Sequence, residues 1–249
     1  MNERSENLIY KDVIKATLYD NKDDFCPLRK EKQMDYLFSL LKEDFEKKNQ
    51  KILDACCGYG RLIHFLNEFD TNQFYTGVDY VDELINQGKK HFTNNKNIDF
   101  EVYDIMKLSD KYHKAFDITI NYKTLSWLPY YKTILTELIK ATKNKIYITS
   151  LFYDGDVDFI TKIYSNASKG TADNYTYLNT YSFPKFKKYC ESIDVKEINS
   201  INMKLDFDLP ESNNMNDLQT YTVSTKSGDR LEINGNVILN WKLIQLIIN

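Results

Sequence analysis

Three aspartates each close a short apolar segment of the sequence and recur at a regular interval. Asp54 follows Ile52 and Leu53, and Asp79 and Asp104 close two later segments, each about 25 residues further on, the length of one strand-helix-strand repeat. Carboxylates at the carboxyl ends of neighbouring parallel strands converge on one crevice. There they can accept hydrogen bonds from the hydroxyl and amino groups of a nucleotide-like ligand.

The segment after Asp54 contains two glycines, Gly58 and Gly60, and then resumes a helical pattern. Glycine lets the backbone turn sharply and approach a ligand where a Cβ atom would collide. The pattern therefore predicts a buried strand, a glycine-bearing turn and a helix over Arg61–Phe69. This arrangement is typical of proteins that bind a nucleotide cofactor at a helix amino terminus.

Hydrophobic periodicity predicts the strands and helices that would position these residues. Short apolar runs alternate with amphipathic helical segments along the chain, which predicts an α/β fold with a doubly wound, mostly parallel sheet. Two β-like runs flank 226–229 and predict a hairpin. The predicted helices are Gln33–Lys48, Arg61–Phe69, Tyr131–Lys143 and Phe183–Ile193, and the predicted strands lie around 52–54, 75–79, 98–104, 116–121, 145–152, 195–207 and 241–248.

On these motifs the chain resembles the class I S-adenosylmethionine-dependent methyltransferases. Residues 53–60 match the position of the family's acid and glycine-rich motif I, and 116–121 resemble its fourth strand. The resemblance implies that Asp79 binds the ribose, and that Asp104 and Ile105 hold the adenine. The full set of cofactor-binding residues that it implies is Arg29, Asp54, Ala55, Cys56, Cys57, Gly58, Gly60, Asp79, Tyr80, Asp104, Ile105 and Asn121.

The resemblance also implies a Rossmann-like, seven-stranded fold whose last strand is antiparallel. It places one methyltransferase domain over 1–249, with an N-terminal helical cap at 1–32 that folds over the cofactor. Arg29 in this cap would reach the carboxylate of S-adenosylmethionine. Loops over 153–183 would form a lid and acceptor pocket, and a hairpin at 218–236 would be a local insertion.

One motif I glycine is replaced by Cys56, which is small enough to pass a cofactor but carries a Cβ atom. Cys56 and Cys57 are interpreted as small buried apolar residues. Because the four cysteines form no C-x-x-C pair and no cluster with histidine, the sequence predicts neither a metal site nor a disulfide framework.

The loop after the fourth strand, 121–130, lacks the Asn-Pro-Pro-Tyr sequence with which many relatives hold a base amine or a glutamine amide. Short segments at 151–156, 174–179 and 220–223 instead resemble methyltransferases of bacterial capsule and surface-polysaccharide pathways. Those enzymes methylate sugars or the phosphoramidate groups attached to them. The expected function is thus methylation, most simply O-methylation, of a small molecule or a sugar-linked acceptor.

Methyl transfer from a sulfonium is an in-line displacement that depends mainly on placing the acceptor. A hydroxyl acceptor also needs a base, for which Tyr153 and Asp154 are the candidates beyond the fifth strand. A phosphate or phosphoramidate oxygen needs no base and would bind a cation such as Lys123 or Arg230. Because no histidine lies near the strand ends, the second case is slightly favoured.

Composition narrows the class of protein. The chain has 249 residues, with 33 basic and 36 acidic side chains and a formal net charge of −3, which argues against a protein that grips a nucleic acid backbone. It has no apolar run long enough to span a bilayer and no signal-peptide pattern at the first residues. We therefore expect a cytoplasmic protein with reduced thiols; its oligomeric state is not predicted.

Two other functions fit parts of the pattern. An NAD-dependent oxidoreductase uses the same strand-turn-helix arrangement to bind its cofactor. Its glycine-rich motif, however, has a third glycine where this chain has Ile63. A non-catalytic subunit could keep the fold and the cofactor site while acting through a partner.

Overall fold

The structure is a computed structural model that describes residues 32–164, 175–211 and 220–248. The predicted N-terminal cap, with Arg29, lies outside the described residues, as do parts of the predicted lid and the start of the predicted hairpin segment. The description below concerns the remaining chain.

A seven-stranded sheet forms the centre of the molecule, in the order β10-β14-β5-β4-β1-β2-β3. The five strands β1 to β5 are parallel, and β14 is antiparallel to both of its neighbours, β5 and β10. This confirms the predicted doubly wound sheet with an antiparallel last strand. The strands are β1 (Lys51–Ala55), β2 (Phe74–Asp79), β3 (Ile98–Val102), β4 (Phe116–Tyr122), β5 (Thr142–Ser150), β10 (Val195–Asn202) and β14 (Lys242–Ile248).

Helices cover both faces of the sheet. Ile52 and Leu53 are both almost fully buried but belong to different apolar clusters, because neighbouring residues of a strand point to opposite faces. The helix predicted over Arg61–Phe69 is confirmed at both ends. The other regular helices are Lys32–Leu41, Asp82–His91, Leu108–Lys111, Lys132–Ala141 and Phe183–Glu191.

The first described helix ends at Leu41, earlier than the predicted Lys48, and a 3-10 turn follows at Asp44–Glu46. The buried carboxylate of Asp44 lies 2.6 Å from the ammonium of Lys145 and accepts a hydrogen bond from the hydroxyl of Tyr147. These two contacts attach the 3-10 turn to β5. Side-chain bonding across the fold thus overrides the local periodicity.

The C-terminal half adds three small sheets, whose strands are β6 (Phe152–Tyr153), β7 (Lys162–Ile163), β8 (Thr176–Tyr177), β9 (Tyr181–Ser182), β11 (Thr220–Ser224), β12 (Arg230–Asn234) and β13 (Val237–Ile238). Strands β11 and β12 form the predicted hairpin around 226–229, with Val223 opposite Leu231. The short third strand β13 was not predicted. This three-stranded hairpin lies in the chain between β10 and β14, which are neighbours in the main sheet.

Candidate active site

The turn after β1 adopts the backbone conformation of a glycine-rich loop. Cys56, Gly58 and Gly60 all have positive φ angles, of 64°, 57° and 87°. The amides of Cys56 and Cys57 both donate to the carbonyl of Val78, at 2.8 and 3.1 Å, so the turn is fastened to β2. Cys56 therefore occupies a conformation that normally favours glycine, and such strain costs about 1–3 kcal/mol.

Besides its positive φ angle, Gly60 has a second feature that requires glycine, which is its close packing against a neighbouring ring. A Cβ atom at this position would lie 2.4 Å from the ring of Phe100, so no other residue fits without displacing that ring. Close packing here lets the helix Arg61–Phe69 begin directly against the sheet.

Asp79, at the end of β2, holds the turn from the other side. Its carboxylate accepts hydrogen bonds from the amide of Gly58 at 2.9 Å and from the amide of Val81 at 3.0 Å. Burial raises the pKa of Asp79, and these amide donors work in the opposite direction. The acid predicted to bind the ribose is thus built into the same structure as the glycine turn.

Two buried oxygen atoms face this region without a hydrogen-bond donor among the described residues. They are Oδ2 of Asp54, at the end of β1, and Oδ1 of Asn121, near the end of β4. The amide nitrogen of Asn121 is used, since it donates to the carbonyl of Ala55 at 2.9 Å. Burial, followed by the charge of Asp79, raises the pKa of Asp54 to about 8. A ligand that brings N–H donors and positive charge would satisfy both atoms.

The third aspartate lies at the end of β3. Asp104 is exposed and accepts a hydrogen bond from the amide of Met106 at 2.9 Å, which begins a 3-10 turn over Ile105–Lys107. Ile105 is buried, and Tyr80 packs against the same apolar cluster. The charges of all three aspartates raise the pKa of the Cys56 thiol, although burial has the larger effect. The structure therefore brings the predicted cofactor-binding residues together, apart from Arg29, which is not described.

Lys123 directly follows β4 and has a positive φ of 55°. Its amide donates to Thr149 of β5, at 2.7 Å to the hydroxyl and 3.1 Å to the carbonyl. Its ammonium lies 5.4 Å from the ring centre of Tyr122 and 5.5 Å from that of Trp241. These contacts hold the lysine between the carboxyl end of β4 and the residue that precedes β14.

The other two catalytic candidates are more exposed. Tyr153 contacts Phe159 edge-on, with ring centres 5.5 Å apart. Asp154 is paired with the ammonium of Lys242 at 2.7 Å, and its side chain is 69% exposed while that of Lys242 is 6% exposed. This geometry suits a contact that ties the loop to β14 better than it suits a base, so a base role for Tyr153 or Asp154 stays a prediction.

Sequence reasoning did not single out Glu232, which is 1% exposed on β12. Burial raises the pKa of Glu232 to about 7, against the charge of Lys123, which lowers it. The available signal was strand alternation: Glu232 and Asn234 share one face of β12, and Leu231 and Ile233 share the other.

Within the described ranges, no helix is long and apolar enough to cross a membrane. The same residues contain no group of three or more His, Cys, Asp or Glu side chains placed to hold a metal ion. Cys56, Cys57 and Cys190 are free thiols.

A family model for a methyltransferase domain matches residues 46–208, which is more than half of the chain. A curated relative, malonyl-[acyl-carrier protein] O-methyltransferase of Bacillus cereus, is 29% identical over 105 residues. That match covers 42% of this chain and only 38% of the relative's length.

Two solved structures are similar in fold at low sequence identity. The 1,6-didemethyltoxoflavin-N1-methyltransferase of Burkholderia thailandensis, with bound 1,6-didemethyltoxoflavin and S-adenosylhomocysteine, has a TM-score of 0.64 at 13% identity, covering 100% of this chain and 91% of that one. The magnesium protoporphyrin IX methyltransferase of Synechocystis PCC 6803, with bound S-adenosylmethionine, has a TM-score of 0.58 at 11% identity, covering 100% and 98%. Together with the strand order and the glycine turn, these findings show that the chain belongs to the methyltransferase-domain family and has the fold of the class I methyltransferases, whose methyl donor is S-adenosylmethionine.

Proposed function

We propose that this protein transfers the methyl group of S-adenosylmethionine to a small acceptor. The observation that carries the proposal is the pair of buried oxygen atoms, Oδ2 of Asp54 and Oδ1 of Asn121, that have no donor among the described residues. Two acceptor atoms beside a glycine turn fit the positively charged amino group of this donor molecule.

The remaining predicted residues fit the other parts of the same molecule. The turn from Cys56 to Gly60 would let the molecule approach the backbone closely. Asp79, at the end of β2, would accept hydrogen bonds from the ribose hydroxyl groups. Asp104 and Ile105 offer a carboxylate and an apolar surface for a base. Arg29, outside the described residues, is proposed as the partner of the carboxylate on the resemblance alone.

The bound sulfonium supplies an activated methyl group, and the protein's own task is placement. The cofactor residues occupy the ends of β1, β2 and β3, so an acceptor must approach from the neighbouring end of β4. Lys123, Tyr122 and Trp241 lie on that side. A cation and two aromatic rings suit an acceptor with an anionic or ring-shaped part.

For the acceptor we propose a small molecule or a sugar-linked group, including a phosphoramidate, of bacterial capsule or surface-polysaccharide synthesis. Support for this finer proposal comes from the short C-terminal segments that resemble such enzymes. The free thiols among the described residues are compatible with the proposed cytoplasmic location. The family match argues against the oxidoreductase alternative, whereas a non-catalytic role beside a partner is a matter for experiment.

Calorimetric titration with S-adenosylhomocysteine, with NAD as a parallel ligand, tests the cofactor. We expect micromolar affinity for the first and no heat from the second. Binding of NAD alone, or of neither ligand, would overturn the proposal. Where the first ligand binds, mass spectrometry of candidate acceptors for the gain of one methyl group tests turnover, and the absence of any gain would favour the non-catalytic role.

A further inference from the structure

A buried cation lies at the carboxyl edge of the main sheet, outside the proposed cofactor site. Lys242 is the first residue of β14, and the strand register places it opposite Ser150 at the end of β5 and Asn202 at the end of β10. Its side chain is almost fully buried. A buried ammonium costs free energy unless it has a counterion, so the partners of Lys242 decide what this position can do.

The counterion of Lys242 belongs to an exposed loop. Among the described residues, the ammonium donates to Oδ1 of Asp154 at 2.7 Å and lies 4.8 Å from the ring centre of Phe183. The side chain of Asp154 is 69% exposed. The cation is therefore held inside the fold, whereas its anion is largely in contact with solvent.

This asymmetry makes the anion exchangeable. When the carboxylate of Asp154 turns out to water, it loses little, because it is already mostly solvated. Lys242 has no such alternative, since its ammonium would stay buried without a counterion. A phosphate or carboxylate group that takes the place of Asp154 accepts from the ammonium in the same way. Exchange of one oxyanion for the other therefore keeps the buried charge paired.

The same loop has a second anchor that does not involve Lys242. Asp158 accepts hydrogen bonds from the backbone amide of Ser182 at 2.7 Å and from the ammonium of Lys185 at 3.0 Å. Ser182 is the N-cap of the helix Phe183–Glu191. Release of Asp154 thus leaves the loop attached to the start of this helix.

Exposed aromatic side chains lie close to Asp154 in the loop. Tyr153 precedes it in the chain, and the ring of Tyr153 contacts that of Phe159 edge-on, with ring centres 5.5 Å apart. Both side chains are exposed. Aromatic rings at a surface offer apolar area against which a ring-shaped ligand can pack. The surroundings of the ion pair therefore suit an organic anion better than a bare inorganic one.

The cation also lies within reach of the proposed methyl donor. Tyr122, the last residue of β4, pairs with Thr149 of β5, which is next to the residue opposite Lys242. Neighbouring strands lie about 4.8 Å apart, so the backbone of Lys242 is about 10 Å from the end of β4. The proposed acceptor approaches at this end of β4. A small organic molecule can span the distance between the two points.

We propose that Lys242 binds an oxyanion of the methyl acceptor, a phosphate or a carboxylate group, and that Asp154 is the exchangeable counterion that precedes it. The inference rests on the proposed function and narrows its acceptor to a small organic anion. Asp154 acts as an internal competitor, since its carboxylate pairs with the buried ammonium until the acceptor arrives. Removal of Asp154 should therefore strengthen anion binding, which a residue that only holds the loop would not do.

The test measures anion binding without methyl transfer. Phenyl phosphate is titrated calorimetrically, at constant ionic strength, into protein saturated with S-adenosylhomocysteine. Benzoate is the carboxylate probe, and benzyl alcohol is the uncharged control. Asp154→Ala should bind phenyl phosphate about fivefold more tightly than the wild type, because a competing ion pair with one exposed partner reduces affinity by about this factor. Benzyl alcohol should show no such gain.

Matched variants test whether the gain depends on Lys242. Asp156→Ala removes another exposed carboxylate of the same loop and should leave the affinity unchanged. Lys242→Met should lose phenyl phosphate binding, whereas Lys185→Met, which breaks the other ion pair of the loop, should keep it. In the double variant Asp154→Ala/Lys242→Met the gain should disappear. Melting curves and S-adenosylhomocysteine titration establish that each variant is folded. Should Lys242→Met not fold, the comparison of Asp154→Ala with Asp156→Ala still decides.

Four outcomes would overturn the proposal. They are no binding of phenyl phosphate or benzoate to Asp154→Ala, equal affinity of Asp154→Ala and wild type, a gain that persists without Lys242, and displacement of S-adenosylhomocysteine by the probe. All four can occur while S-adenosylhomocysteine on its own binds normally. Failure of the anion site is therefore distinguishable from failure of the proposed function, which would show as a lack of S-adenosylhomocysteine binding.

Discussion

The two halves of the candidate site are built in different ways. On the proposed cofactor side, Asp54 and Asp79 lie at the ends of β1 and β2, Asp104 follows β3, and backbone hydrogen bonds hold the glycine turn. On the proposed acceptor side, the ammonium of Lys123 lies beside the rings of Tyr122, its neighbour in sequence, and of Trp241, which comes from a distant part of the chain. The first side concentrates carboxyl groups, whereas the second combines an ammonium with two aromatic rings. The first suits a ligand with a cationic group, and the second suits an anionic or ring-shaped group.

The largest effect is expected from Asp79→Ala, which should weaken S-adenosylhomocysteine binding by at least about a hundredfold, because two charge-assisted hydrogen bonds are each worth about 1.5–3 kcal/mol. Calorimetry measures this loss. The free energy of unfolding should also fall, by about 1–3 kcal/mol, since the amides of Gly58 and Val81 lose their acceptor. Asp110→Ala, an exposed aspartate, is the control. Normal binding by a folded Asp79→Ala protein would remove Asp79 from the cofactor side.

The next effect is a pH dependence of the affinity for S-adenosylhomocysteine. Because the pKa of Asp54 is raised to about 8, the carboxyl group must lose a proton before it can pair with a cationic amino group. Affinity for S-adenosylhomocysteine should therefore rise with pH, by up to about tenfold per unit between pH 6 and 8.

Asp54→Asn is the variant that checks this slope. It should bind S-adenosylhomocysteine weakly at every pH and show a flat profile, measured by the same titration. A retained slope in Asp54→Asn would assign the titration to another group, with Asp79 as the first alternative.

The smallest effect concerns the strained turn. Cys56→Gly should raise the free energy of unfolding by about 1 kcal/mol, since glycine adopts the left-handed conformation without steric cost. Cys57→Gly, at a buried neighbour without a positive φ, should lower it instead. Urea unfolding of the two variants provides the comparison. A loss of stability in Cys56→Gly would mean that thiol packing outweighs backbone strain.

The contrast between the halves also explains what could be predicted from sequence. The aspartates and glycines were found because each lies next to its own strand, so short-range spacing places them. The fold followed from the same alternation of strands and helices. Glu232 was missed because its burial depends on a hairpin that turns its polar face inward, which strand alternation alone does not reveal. Asp154 could be placed after β5 but not paired with Lys242, since antiparallel β14 brings that lysine in from the far end of the chain.

The place of β14 between β5 and β10 has a consequence for how this protein can change. The connection from β10 to β14 contains the hairpin, and its two ends are fixed by ladders of hydrogen bonds. Doubling the length of such a connection costs only about 0.6 kcal/mol in closure entropy. Insertions there can be gained, lost or exchanged while the neighbouring strands keep their register. Selection can therefore alter this part of the chain with little risk to the sheet that holds the aspartates and the glycine turn.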